Sequence, residues 1–494
     1  MSSRVDVPAV DPTGRSLLSS AGWMTGGNLI AQAFAYGSLV ALARWLEPAS
    51  FGTVAVATAI VSVGVLFVDQ GTWGAVIVER LLSRSVLAQA FRRCLGTAVV
   101  LAAVMAAVSG TVVDHFAAGG HPGAVVAIAF CLPLHAVAVV PTALLQRSMQ
   151  FRRLAGVNGI ANIASALVAV VLASYGAGVW ALVVRQLVLY TLIAILSAAL
   201  CLPALRSHAP VSTEPVPPRS GARAERWFFS FSVVYALTGS LDKFIVGLFG
   251  GAAVVGLYSV AATIAMAPWT QFSAQAGQVL FAAAASHPDD FSRRTDQSVG
   301  LMALLMLPML PVGVLVAPAV LSGVFGPEWA PVVPVFQVLL VVGVGNAIVN
   351  CIAEPLTGMG HMPFRTRIMV AQSLATLVAL LVLVPIDGIV GAALAQLVVF
   401  LPYGVLYFTA GARRADTSLR RLWISVRPAV GVLALQVAVS SLVLAILVAS
   451  GMSGPPRATR ARTRAMCNSG EARPQNHTST SCVRAAATSL AGTV

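Results

Sequence analysis

The sequence predicts an all-α polytopic membrane protein. Of its 494 residues, 58% are hydrophobic and only 10% are charged, and the mean hydropathy is +0.86. No water-soluble core requires so much apolar sequence in a chain of this length. The apolar residues fall in runs of about 20, the helix length that crosses about 30 Å of hydrocarbon. The distribution of the arginines, a third observation, gives these runs an orientation.

Thirteen apolar runs are candidate spans. The first follows a polar segment, 1–16, and is too long for a cleaved signal peptide, so we expect it to be retained as an anchor. The remaining runs follow at mostly short intervals. In chain order the spans are 17–43, 51–77, 94–113, 122–145, 156–175, 178–201, 228–250, 253–281, 298–321, 331–352, 368–386, 388–410 and 428–450.

The arginines orient the spans, because cationic loops stay on the cytoplasmic side. Of the 31 Lys and Arg residues, 22 lie in alternate gaps, and the opposite gaps contain one, Arg44. This distribution predicts a multi-pass protein of a bacterial-type plasma membrane with a cytoplasmic N-terminus. It also accounts for the net charge of +14 without nucleic acid, since the arginines are dispersed and lack interleaved aromatic residues.

A proline-rich gap divides the spans into two sets. Residues 203–227 combine five prolines with charged residues, a composition typical of a flexible cytoplasmic linker. Spans 1–6 occupy 17–202 and spans 7–12 occupy 228–411, followed by a loop and span 13 in 412–451. Because six is even, the second set begins with the orientation of the first, which permits a parallel internal repeat.

The repeat is visible at an offset of 204 residues. Residues 51–60 align with 255–264, and the two segments share Gly, Val, Ala and Ile at equivalent positions. The offset equals six spans with their loops. Both copies therefore occupy the same topological position.

Four short segments carry a resemblance to a known family. They are the sequence RWLEPASFG from Arg44 to Gly52, Asp69-Gln70-Gly71, LDKFIVG from Leu241 to Gly247, and GLYS from Gly256 to Ser259. Over about residues 15–450 the chain resembles polysaccharide flippases of the lipopolysaccharide and teichuronic-acid type, in the multidrug/oligosaccharidyl-lipid/polysaccharide (MOP) exporter superfamily. The resemblance implies two six-helix lobes around a central cavity, plus at least one extra C-terminal helix here.

The same resemblance implies a function. Such proteins flip a polyprenyl-pyrophosphate-linked oligosaccharide from the inner to the outer leaflet by alternating access, during synthesis of cell-surface polysaccharide. The expected partners are this lipid-linked oligosaccharide, membrane lipid, and glycosyltransferases and a polymerase of the same pathway. No bond is broken, so neither an enzyme activity, a metal site nor a cofactor is expected.

Polar residues on the spans mark the expected cavity. A polar side chain is costly in the bilayer, and positions three or four apart share one helix face. Interhelical hydrogen bonding explains any single case, whereas the pattern in both halves favours a hydrated cavity suited to sugar hydroxyls. The candidate lining residues are Asn28, Gln32, Asn158, Asn162, Gln271, Gln275, Asn346 and Asn350.

Two cations and three acids are the charged candidates. Lys243, the only lysine, and Arg185 lie well within spans, and we assign them to the substrate pyrophosphate; snorkelling toward the interface is the alternative. Asp69, Asp242 and Glu354 are candidates for coupling to Na⁺ or H⁺, with an ion pair or a helix cap as the alternative. His135, between Pro133 and Pro141, is interpreted as a packing residue.

Other functions remain open at this stage. A cation-coupled small-molecule exporter of the same superfamily would share the fold. A membrane-embedded glycosyltransferase or polymerase is disfavoured because the outer gaps are short, and no G-x-x-x-x-G-K-[ST] loop indicates ATP hydrolysis.

The C-terminal tail departs from the family pattern. Residues 452–494 are rich in Arg, and by parity they would lie outside, against the charge rule. A tolerated disordered tail, an incomplete span 13 and a change of coding frame are the three interpretations, of which we favour the last.

Overall fold

Helices account for every regular element in the part of the chain that the structure describes. The structure is a computed structural model, and it describes residues 32–69, 84–118, 120–147, 150–207, 222–267, 270, 291–358, 361–411, 413 and 418–449. In the first half, residues 32–45 form the described part of α1. It is followed by α2 Pro48–Asp69, α3 Arg84–Ala107, α4 Ser109–Phe116, α5 Pro122–Ala129, α6 Cys131–Arg147, α7 Phe151–Ser174 and α8 Val179–Ser207.

The second half begins with a long helical stretch. This stretch is α9 Ala222–Ala265. The helices that follow it are α10 Phe291–Met306, α11 Met309–Val320, α12 Val332–Gly358, α13 Met362–Leu406 and α14 Leu419–Ala449. Between α11 and α12 lie a π-helical turn, Leu321–Phe325, and a 3₁₀ turn, Pro327–Trp329. Helices α8 and α9 extend to Ser207 and from Ala222, inside the predicted linker 203–227.

Prolines and glycines set the helix boundaries. Pro122 stands at the start of α5, where the missing N–H is not needed. Pro308 separates α10 from α11, since a proline disrupts the preceding helical hydrogen bonds. Left-handed backbone at Gly251, with φ 71°, and at Gly388, with φ 57°, breaks α9 and α13.

The break at Gly388 is a reversal of the chain. A Cβ atom added to Gly391 would lie 2.0 Å from the carbonyl oxygen of Leu383, eight residues earlier. In a continuous helix these residues would be about 12 Å apart. Helix α13 therefore contains the two antiparallel arms that the sequence predicts as spans 11 and 12.

Ten helical stretches of the described residues are long and apolar enough to cross a membrane. Two of them, Val233–Ala265 and Met362–Gly411, each cover two predicted spans. The all-α polytopic class is confirmed, whereas the number of thirteen spans stays a prediction. Four cysteines, Cys94, Cys131, Cys201 and Cys351, are buried within these stretches.

The periphery of the bundle is apolar. Val100, Ile195, Val378 and Val405 are each 58 to 63% exposed, and many other large hydrophobic side chains are exposed with them. A water-soluble monomer rarely presents such continuous apolar surface. The protein is therefore a multi-pass membrane protein whose outer helix faces contact lipid.

Candidate functional site: cross-lobe contacts and buried polar groups

The two halves of the chain meet where α2 crosses α9. We call spans 1–6 the N-lobe and spans 7–12 the C-lobe, and we use outer and inner for the sides that the arginines predict. A Cβ atom on Gly52 would lie 1.7 Å from the carbonyl oxygen of Ala252, and one on Gly256 would lie 1.8 Å from that of Pro48. An ordinary contact needs about 3.4 Å. The helices thus touch backbone to backbone, which only glycine permits.

This crossing is symmetric in sequence. Gly52 and Gly256 are 204 residues apart, and so are Pro48 and Ala252. Gly52 approaches Ala252 and Gly256 approaches Pro48, so the two glycines make equivalent contacts. The repeat predicted from residues 51–60 and 255–264 places its two copies against each other across a pseudo-twofold axis.

A second cross-lobe contact flanks the crossing. The backbone N–H of Ala252 donates a hydrogen bond of 3.0 Å to the carbonyl of Ala118. A Cβ atom on Gly247 would lie 2.0 Å from the carbonyl oxygen of Phe116. The rings of Phe116 and Phe244 meet edge to face with 5.5 Å between their centroids. The loop after α4 in the N-lobe is therefore held against α9.

The third cross-lobe contact involves the lone cation of the outer gaps. Arg44 donates hydrogen bonds of 2.7 Å and 3.3 Å to the carbonyls of Val324 and Gly323. The indole Nε1–H of Trp329 donates to the carbonyl of Ala43 at 3.1 Å, and the Trp329 ring packs on Phe51 at 5.4 Å. The segments 43–47 and 323–329 also enclose a cavity of about 460 Å³.

These three contacts form what we call the outer closure. All of them lie at the predicted outer ends of the spans, and each joins one lobe to the other. Ala43 of the N-lobe and Gly247 of the C-lobe, which take part in two of these contacts, are again 204 residues apart. The closure is therefore built from matched pieces of both lobes.

Glu354 and Arg365 form an ion pair at the inner side of the C-lobe, in which Arg365 is buried and the Glu354 side chain is 27% exposed. The two terminal nitrogens of Arg365 donate to the two Glu354 oxygens at 2.6 Å and 3.1 Å, and Arg365 is 7% exposed. This two-point geometry is the strongest form of arginine–carboxylate contact. The pair joins the inner ends of α12 and α13, and it matches the ion-pair alternative for Glu354.

Asp242 is also held by fixed partners. Its carboxylate accepts the Tyr258 hydroxyl at 3.0 Å and the backbone N–H of Lys243 at 2.8 Å. Asp242 is 9% exposed and Tyr258 is fully buried. The contact joins the two arms of α9 on either side of Gly251.

Asp69 and His135 form the third polar pair, in the N-lobe. The imidazole Nε2 lies 3.1 Å from Asp69 Oδ1, and the side chains are 25% and 30% exposed for His135 and Asp69. The ring of Tyr190 meets the imidazole edge to face at 6.0 Å. His135 is thus more than the packing residue that the sequence indicated.

The two candidate cations occupy different lobes. Arg185 is half-buried on α8, which packs against α6 and α7, while Lys243 is half-buried on α9, which packs against α2, α12 and α13. Among the described residues, no carboxylate lies within 4.0 Å of either cation. Their assignment to a pyrophosphate stays a prediction.

The polar lining candidates are only partly visible. Asn28, Gln271 and Gln275 lie outside the described residues. Asn162 donates from its amide to the carbonyl of Asn158 at 2.9 Å, so these two share a face of α7. Gln32, Asn346 and Asn350 are half-buried on α1 and α12. Their role as a cavity lining stays a prediction.

Comparison with known proteins adds a family and a fold. The family model described as "Polysaccharide biosynthesis protein" matches residues 41–334, a range that includes both glycines of the crossing. The chain is 22% identical over 390 residues to the lipopolysaccharide biosynthesis protein WzxC of Escherichia coli (strain K12), covering 77% of this chain and 78% of that protein.

A second relative matches a shorter stretch. The teichuronic acid biosynthesis protein TuaB of Bacillus subtilis (strain 168) is 28% identical over 149 residues, which span 28% of this chain and 31% of that protein. The fold is similar to that of the lipid II flippase MurJ in its inward closed conformation. That match has a TM-score of 0.68 and 10% identity, over 83% of this chain and 91% of the MurJ chain.

Proposed function

The chain belongs to the polysaccharide biosynthesis protein family, and from this premise we propose that it is a flippase for a lipid-linked oligosaccharide. It moves a polyprenyl-pyrophosphate-linked oligosaccharide from the inner to the outer leaflet by alternating access. The names of WzxC and TuaB refer to polysaccharide synthesis, and that of MurJ to a lipid flippase. All three support the same class of substrate.

The outer closure is the observation that carries the mechanism. Alternating access requires one side of a central pathway to be sealed while the other is open. Here the two lobes touch backbone to backbone at the outer end of α2 and beside the break in α9. Because the two sides of the contact are repeat-related, rocking of one lobe against the other would separate them together.

Substrate contacts are assigned by chemistry. Arg185 and Lys243 would bind the pyrophosphate, since a cation inside a span is costly unless it meets an anion. The amides of Gln32, Asn158, Asn162, Asn346 and Asn350 would donate and accept hydrogen bonds with sugar hydroxyls. A cation in each lobe would let one pyrophosphate contact both lobes during the cycle.

The proposal also includes the membrane, the orientation of the protein in it and its pathway partners. The arginine distribution supports a plasma membrane protein with a cytoplasmic N-terminus. The substrate would be loaded from cytoplasmic glycosyltransferases and released toward a polymerase on the outer face.

The direct test is reconstitution in liposomes with a labelled polyprenyl-pyrophosphate oligosaccharide. Transbilayer movement is followed by the accessibility of the label to a quencher that does not cross the membrane. We expect protein-dependent movement from one leaflet to the other. Folded protein that moves none of the labelled lipid would refute the proposal.

A further inference from the structure

We propose that Asp69 and His135 form the proton-binding site that couples the conformational cycle, in preference to the other acids in the spans. The inference rests on the proposed alternating-access function and names its coupling ion and site. It follows from the contacts of three carboxylates, from the composition of the Asp69–His135 pair, and from the position of this pair on α2.

Two of the three acids are committed to structural contacts. Glu354 is paired through both oxygens with the Arg365 guanidinium, and Asp242 accepts from Tyr258 and from a backbone N–H. Releasing either carboxylate would leave a buried partner without its hydrogen bond, at a cost of about 1–3 kcal/mol or more. Neither is suited to gaining and losing a proton in every cycle.

The Asp69–His135 pair has a different composition. With a neutral imidazole the pair carries one negative charge, and one added proton converts it into an imidazolium–carboxylate pair with no net charge. Histidine is the side chain whose ordinary proton affinity makes this change near neutral pH. Both side chains are partly exposed in the outer-closed state, at 25% and 30%.

The surroundings of the pair contain other titratable groups. Cys131 lies one helical turn before His135 on α6, Tyr190 meets the imidazole from α8, and Cys94 of α3 belongs to the same buried cluster. Arg185 lies five residues before Tyr190, about 140° around α8. The basic side chains of α3 and α7 whose burial the structure describes are exposed: Arg92, Arg93, Arg152 and Arg153.

Helix α2 connects the pair to the outer closure. Gly52 lies near the start of α2 and Asp69 is its last residue, so one helix of about 26 Å carries both. When α2 parts from α9 at the outer side, the inner side must close around the other end of α2. Loss of solvent there disfavours the negatively charged pair relative to the neutral one. Proton binding would therefore favour the outer-open state.

The test measures the outer opening without any substrate. Spin labels are placed at Tyr175→Cys in the N-lobe and Ile386→Cys in the C-lobe, which are 85% and 69% exposed at the predicted outer ends of spans 5 and 11. The full-length protein carries Ser at its six native cysteines and is studied in lipid nanodiscs. Distances between the labels are recorded by pulsed electron paramagnetic resonance between pH 8 and pH 5.5.

We expect the longer, outer-open distance to gain population as the pH falls, with a change in the population ratio of up to about tenfold per pH unit for one proton. Asp69→Asn and His135→Gln should abolish this response, and Asp69→Glu should retain it. Asp114→Asn, an exposed acid near the predicted outer end of α4, is the matched control and should respond as the parent protein does.

Three results would overturn the proposal. They are a parent protein that does not respond to pH, an Asp69→Asn variant that responds fully, and a distance change driven by Na⁺ at constant pH. The parent measurement decides between H⁺ and Na⁺ even if the variants fail to fold. Failure of the flipping assay with an intact pH response would instead reject the proposed substrate and leave the proton site standing.

Discussion

Gly52 and Gly256 face each other across the contact between the two lobes. The backbone nitrogen of Gly256 lies 2.9 Å from the position that a Gly52 Cβ atom would take, and the nitrogen of Gly52 lies 3.1 Å from the equivalent position on Gly256. Two residues separated by one repeat length thus make the same contact with each other. This relationship makes the outer closure a single joint between equivalent helices.

A side chain at either glycine should force this joint apart. Gly52→Ala and Gly256→Ala place a Cβ atom at half of the ordinary contact distance from a backbone carbonyl, which cannot rotate away. We expect at least a tenfold loss of flipping, with the spin-label distance between positions 175 and 386 shifted to the outer-open value. Gly96→Ala is the control, because nothing lies within 4 Å of its added Cβ atom. A normal flipping rate in both glycine variants would show that the closure need not form.

Neutralising the two intramembrane cations should distinguish a lipid pyrophosphate from other cargo. In Lys243→Gln and Arg185→Gln we expect flipping to fall at least tenfold, since each loses a charge-assisted contact to phosphate. Lys243→Arg should retain much of the activity. Transport of an amphipathic cation would not need either residue, so undiminished activity in the double variant would favour the small-molecule exporter function. Arg427→Gln, an exposed predicted inner residue, is the control.

The Glu354–Arg365 pair should be structural. Glu354→Gln leaves the buried Arg365 charge without its carboxylate, a change that costs about 3–5 kcal/mol in fully buried pairs and less here, because the Glu354 side chain is 27% exposed. We expect a clear drop in the thermal unfolding midpoint, measured in detergent by fluorescence-detected size exclusion. The pH response of the spin-label distance should persist in whatever protein remains folded. A variant of normal stability that has lost this response would instead assign coupling to Glu354.

Tyr258→Phe should loosen the break between the two arms of α9. The variant removes the hydroxyl that donates to Asp242 at 3.0 Å and leaves that carboxylate with backbone N–H donors alone, among them that of Lys243. A loss of about 1–3 kcal/mol is expected for a buried group left with fewer hydrogen bonds. Tyr175→Phe, an exposed outer tyrosine, should leave the unfolding midpoint unchanged.

The sequence predicts those features that depend on position along the chain. Hydropathy identifies the helices, and the 204-residue repeat identifies residues that the fold makes equivalent, such as Gly52 and Gly256. The alignment could not show that these two residues touch, because a repeat predicts equivalence and says nothing about contact. The reversal at Gly388 is visible only as two adjacent apolar runs.

The sequence does not predict which side chains of different helices form pairs. Arg365 lies in a predicted inner gap, where the charge rule explains it as an orienting cation, yet it is buried against Glu354. His135 gave no sign of its carboxylate partner, since Asp69 is 66 residues away and the contact depends on how α2 packs on α6. Arg44, the lone outer cation, could have drawn attention to the closure, because an exception to the charge rule needs a compensating contact.

The most direct test of the central claim is to lock the outer closure. Phe116→Cys and Phe244→Cys lie at a cross-lobe contact, and a short thiol-specific reagent that reduction can remove would join them in protein without native cysteines. In liposomes the linked protein should flip no labelled lipid-linked oligosaccharide, and reduction should restore flipping. Undiminished flipping by fully linked protein would contradict the account, because the lobes could then transport without parting at their outer ends.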